Sequence, residues 1–253
     1  MLRSLLIALL MLAITGCTDA KRPPEASAGD SAPRILTASD LDRFLSCVRA
    51  HSEAMIPDFS PLDDDPTLNS ESSGRDLVAT FRDQVRQLFD VERQGAIWQR
   101  DLDWSQALAD AQFSGTRFAA LVRDVGLAVM RVRLEARVDV DKLVSQARRQ
   151  VDETVRTIEE IDRVPRPKRS REAAALRTRS VIHLGRSVAL LEFAELVKKV
   201  PPESAVVVRR YSRQLKPLLP ASINEELLVE LQNLADSRGS EVEPARYETL
   251  DDE

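Results

Sequence analysis

The chain has 253 residues, and its 36 basic and 41 acidic side chains leave a net charge of −5. That balance argues against a nucleic-acid-binding protein, which needs a basic surface to neutralise phosphates. Two cysteines and two histidines leave little material for a disulfide framework, a zinc site or an imidazole-activated nucleophile.

The chain opens MLRSLLIALLMLAITGC, with Arg3 ahead of an unbroken apolar run from Leu5 to Ile14. A membrane-spanning helix takes roughly 20 apolar residues, so this run predicts a cleavable export signal over residues 1–16. Ile14-Thr15-Gly16-Cys17 resembles the lipobox of bacterial lipoproteins: an aliphatic residue, a small one, Gly and Cys directly after a short apolar segment. The resemblance covers these 17 residues only. It implies cleavage between Gly16 and Cys17 and acylation of Cys17, with palmitate among the attached chains. It also implies a lipid-anchored location in the cell envelope, and Thr18 in the second mature position points to the outer membrane, facing the periplasm.

Loss of residues 1–16 removes Arg3 and no acid, so the mature net charge is about −6. Residues 17–36 are rich in Pro, Ala, Ser and charge without periodicity, which reads as a lipidated N-terminus followed by a flexible, disordered tether. From 37 to 239 the pattern is helical almost throughout. Leu41, Phe44, Leu45, Val48 and Met55 mark one face of a helix over about 38–55, after the oxygen-bearing Thr37. Three prolines, acids and serines over 57–74 predict an exposed loop.

The next face, from Leu77 to Phe89, predicts a helix that ends near Gly95 or runs on to Trp98. A short helix around Leu102 to Ala111 follows, then one capped at Ser114-Gly-Thr116 that continues to about Ala136. Asp139 starts a helix whose Val140, Val144, Ala147, Val151, Val155 and Ile158 form a narrow seam up to about Asp162. After the proline-containing turn 163–171, Ser170 caps a long helix that Pro201 and Pro202 end; Pro202 fits the first turn of the next. The valines of AVVVRRY would form an isolated strand with nothing to pair, so helix is expected there too. Ser222-Ile-Asn-Glu225 is a capping box for a last helix that stops before Gly239, and 240–253 form a frayed acidic tail.

The expected fold is all-α: an elongated bundle of about six to eight helices after the tether. Two of them, of roughly 25 and 30 residues, would measure about 37 and 45 Å. Gly126 and Gly185 fall inside helices, where close helix-to-helix approach would offset their cost of up to about 1 kcal/mol.

Catalytic chemistry is poorly represented. Cys47 and His51 are spaced to meet on one helix face, yet no oxyanion donors accompany them, so Cys47 reads as a packed side chain. Asp63-Asp64-Asp65 fails the EF-hand template, with Leu68 where the turn glycine belongs and Gly74 where the bidentate glutamate belongs. Trp98 and Trp104 read as corner packing. No metal or other cofactor is implied.

One charge feature remains. Between Arg163 and Arg186 lie eight basic residues and a single acid, Glu172. Arg163, Arg166, Lys168, Arg169 and Arg171 crowd the turn, where they can meet an anionic envelope surface or an acidic protein partner, or answer Glu159, Glu160 and Asp162 at the preceding helix end. The resulting expectation is a membrane-tethered, non-catalytic interaction protein. The alternatives are a lipid-anchored hydrolase or small-ligand-binding protein with its site inside the bundle, and a helical-repeat scaffold.

Overall fold

The computed structural model describes residues 33–59, 72–220, 228–229 and 231–233, and among them eight α-helices and no strand. These are α1 (Ala38–Ala50), α2 (Gly74–Leu88), α3 (Val91–Arg100), α4 (Leu102–Asp110), α5 (Gly115–Glu135), α6 (Val140–Asp162), α7 (Arg171–Lys198) and α8 (Pro202–Leu215). Seven of them begin on a side-chain oxygen that accepts from the first turn: Thr37, Ser73, Asp90, Asp101, Ser114, Asp139 and Ser170. Such caps satisfy N–H groups that the helix itself leaves unpaired. The eighth, α8, begins on Pro201-Pro202, where a missing N–H costs nothing. The Ser222–Glu225 capping box, the Asp63–Asp65 cluster and the 240–253 tail lie outside the described residues.

α6 and α7 form an antiparallel hairpin. Lys198 pairs with Asp141 at one end and Arg177 with Asp162 at the other. At 23 and 28 residues they are about 35 and 42 Å long and set the long dimension of the bundle. α2 runs parallel to α7, tied at Arg177–Ser72 and at Arg82–Glu192. α5 packs along the other half of α7, where Arg131 donates to the Val200 carbonyl. α7 buries Leu184, Val188, Leu191 and the polar Arg177 and Ser187 against these neighbours and turns Arg179, Ile182, His183 and Arg186 outward.

α1, α3, α4 and α5 enclose an aromatic cluster centred on Phe118, whose ring lies 5.6 Å from Phe44, 5.7 Å from Trp98, 5.1 Å from Trp104 and 6.0 Å from Phe113. Both tryptophans are buried there, as corner packing requires.

Three boundaries differ from the sequence expectation. α1 stops at Ala50 rather than near 55, because the chain must extend to bring Ile56 to α8's end, where its N–H donates to the Leu218 carbonyl at 2.8 Å. The helix expected to run from 75 towards Trp98 breaks at Phe89. The Asp90 carboxylate accepts from the Glu92 and Arg93 N–H groups and restarts the chain as α3. The segment assigned to the tether is ordered from Pro33 and forms a strap. The Leu36 N–H donates to Ser204 Oγ at 2.9 Å, Ser204 Oγ donates to the Arg34 carbonyl at 3.2 Å, and the Arg34 N–H donates to the buried Asp124 at 3.3 Å.

The glycines also sort differently. Gly185 is indeed a point of close approach, since a methyl group there would lie 3.1 Å from the Phe81 ring, whereas Gly126 has nothing within 4 Å of that position. The tight crossing is at Gly95 of α3 and Gly115 of α5. A methyl group on Gly95 would sit 2.7 Å from Thr116 Cα, and one on Gly115 would sit 2.8 Å from the Gly95 carbonyl carbon. Gly95→Ala and Gly115→Ala should each cost about 1–3 kcal/mol or more by overpacking. Gly126→Ala should stabilise by up to about 1 kcal/mol. Denaturant unfolding of the three variants checks both signs.

Candidate functional site

The basic turn grows out of an electrostatic problem. α6 ends in Glu159, Glu160 and Asp162 with no basic residue in its last turn, and acids there oppose the helix dipole. Asp162 is answered twice. Arg177 donates to both its oxygens, from Nε at 2.6 Å and Nη2 at 2.9 Å, and Arg169 approaches Oδ1 at 2.8 Å. Hydrogen bonds from Arg177 hold the Asp162 carboxyl below the usual carboxylate range, with the charges of Arg177 and Arg169 adding to the effect. Arg177 also donates to the Ser72 carbonyl at 3.0 Å and so brings the start of α2 to the same corner.

Arg169 closes the turn as well, donating from Nε to the Val164 carbonyl at 2.7 Å. Its side chain is 11% exposed, so one of the five clustered cations is committed to structure. Arg163, Arg166, Lys168 and Arg171 are exposed around a single 3-10 turn, Arg166–Lys168. Glu159 meets Arg75 at 3.7 Å across to α2. Arg169 thus answers the helix end, while Arg163, Arg166, Lys168 and Arg171 are exposed.

Arg177 is the residue sequence reasoning missed. It stands four and seven residues before the inner positions Val181 and Leu184, and that placement of an arginine on an apolar stripe is the signal that could have found it. Cys17 and Gly16 lie outside the described residues.

Cys47 and His51 do not meet. The Cys47 thiol contacts the Ala107 carbonyl at 3.5 Å, and burial pushes its pKa up to about 11, far from a reactive thiolate. His51 stacks on Trp104 with ring centroids 4.0 Å apart. His183 lies at 3.2 Å from the Gln150 amide, and partial covering of its ring together with Arg186 holds it below the usual imidazole range. Among the described residues no three His, Cys, Asp or Glu side chains gather as metal ligands, and no helix is long and apolar enough to cross a membrane. Comparison with protein-family models, with curated proteins and with solved structures finds no match to this chain.

Asp162→Asn leaves Arg177 buried without its carboxylate and should cost about 2–3 kcal/mol at pH 7. The folded pKa of Asp162 is lowered, so its contribution is complete above the unfolded value of about 3.9 and is lost as pH falls through the lower folded value. The stability gap between the parent chain and Asp162→Asn should therefore narrow only below about pH 4, as read from denaturant midpoints at stepped pH.

Proposed function

We propose that this chain is a lipid-anchored protein of the bacterial cell envelope, held at the outer membrane facing the periplasm and working by binding rather than by catalysis. The observation that carries the proposal is Ile14-Thr15-Gly16-Cys17 directly after a ten-residue apolar run. Each buried methylene of an acyl chain contributes about 0.8 kcal/mol and one chain holds only marginally, so the multiple chains of a lipoprotein provide a stable anchor.

The fold gives that anchor a geometry. Fifteen residues lie between Cys17 and Pro33, a reach of at most about 55 Å. The strap then clamps to α5 and α8 at Asp124 and Ser204. Arg123 beside it faces the same groove as Glu192 of α7, and from Glu192 back to Ser170 is about 33 Å of helix. The basic turn therefore stands at the opposite end of the hairpin from the point where the anchoring chain enters. On this reading the exposed Arg163, Arg166, Lys168 and Arg171 are presented to an acidic partner or anionic envelope surface.

Radiolabelled palmitate should enter the chain in a bacterial host, and Cys17→Ser should abolish both labelling and membrane retention; equal labelling of the variant contradicts the anchor. Changing Arg163, Arg166, Lys168 and Arg171 together to Gln, with Arg169 kept, should weaken cross-linking to envelope partners in a salt-dependent way while thermal stability stays within about 1 kcal/mol. Unchanged cross-linking contradicts the role of the turn.

A further inference from the structure

A groove of about 280 Å³ opens between α2, α5 and α7, and one of its walls is Arg123. That side chain is 4% exposed and meets the neighbouring Asp124 from Nε and Nη2, each at 3.0 Å. Two of its five N–H donors are thereby used. Burying an ion pair costs several kcal/mol per ion. Asp124 has a structural reason to be there, since it holds the strap through the Arg34 N–H. Its neutralising partner also faces a cavity.

The rest of the lining fits one kind of ligand. Arg82 is fixed by Glu192 at 2.8 Å, and Glu195 is taken up by Arg148 of α6, also at 2.8 Å, so both acids of the groove are engaged. Arg86 meets only Asp83, at 3.8 Å, and the Lys199 ammonium makes no ion pair among the described residues. Three cations, Arg86 of α2, Arg123 of α5 and Lys199 at the end of α7, thus line a space also lined by the apolar Val85, Phe89 and Leu196. Arginine forks favour oxyanions with several acceptor oxygens, and the apolar wall favours a hydrocarbon body beside the anion.

We propose that this groove is a binding site for a phosphate group carried on a small apolar body, with Arg86, Arg123 and Lys199 as its anion contacts. The source of that chemistry is either the headgroup region of a phospholipid or a soluble phosphoester. Because Arg123 also neutralises Asp124, an anion drawn to Arg123 competes with the carboxylate that accepts from the strap's Arg34 N–H, so occupancy of the groove is linked to the point where the N-terminal chain enters.

The test is calorimetric titration of the full chain in a neutral, phosphate-free detergent. Phenyl phosphate should bind more tightly than inorganic phosphate, and Arg86→Gln with Lys199→Gln, which leaves the Arg123–Asp124 pair intact, should weaken it about tenfold or more. Competition by short-chain phosphatidylglycerol, but not by phosphatidylcholine of the same chain length, assigns the lipid source. Lack of competition with phenyl phosphate still bound assigns a soluble phosphoester. No heat from phenyl phosphate at millimolar concentration, or equal binding by the double variant, overturns the site. Circular dichroism identical to the parent shows that a loss of binding in the double variant is not a loss of fold.

Discussion

The pairing of Arg177 with Asp162 is the interaction on which the long hairpin depends. α7 packs against α2, α5 and α6 and buries Arg177 on the face it turns towards them. A buried guanidinium is tolerable only with a charge and hydrogen bonds around it. Asp162 supplies the charge from the end of α6, and the Ser72 carbonyl supplies a further acceptor from the approach to α2. One side chain thus fastens three helices at the end where the hairpin turns. Arg169, bonded to the same carboxylate and to the Val164 carbonyl, holds the turn closed.

Most helix starts were legible because they rest on local chemistry. Thr37, Ser114, Asp139 and Ser170 each cap through their own oxygen, and such a bond depends on no distant residue. The seam from Val144 to Ile158 was legible for the same reason: a repeating spacing projects onto one face whatever covers it. What escaped depends on partners far along the chain. The break at Phe89–Asp90 turns α3 so that Gly95 can meet Gly115. Neither glycine announces that contact, and Gly126, which looked equivalent, touches nothing. The strap is similar, since Pro33 to Leu36 carry no periodicity and are held by Ser204 and Asp124 and by Leu36's burial in the core, all through partners far away in sequence. The basic turn was visible as composition. Its division into Arg169, committed to structure, and four exposed cations follows only from where the carbonyls of the turn lie.

The strap and the basic turn lie at different ends of the molecule. On the proposed reading, membrane attachment enters at the α5–α8 end and a cationic tip stands about 33 Å along α7 from it. The groove beside Arg123 lies at the strap end of that distance, and Arg123's partner Asp124 accepts from the strap's Arg34 N–H. Groove and tip are therefore joined along α7, and on the proposed reading a ligand in the groove would act on the anchoring end first.

The lipid anchor is the claim on which this arrangement turns. Intact-mass and tandem mass spectrometry of the chain recovered from bacterial membranes would address it directly. The account predicts an N-terminal peptide that begins at Cys17 and carries a diacylglyceryl group on its sulfur. A chain that begins elsewhere, or a Cys17 with a free thiol, would contradict it.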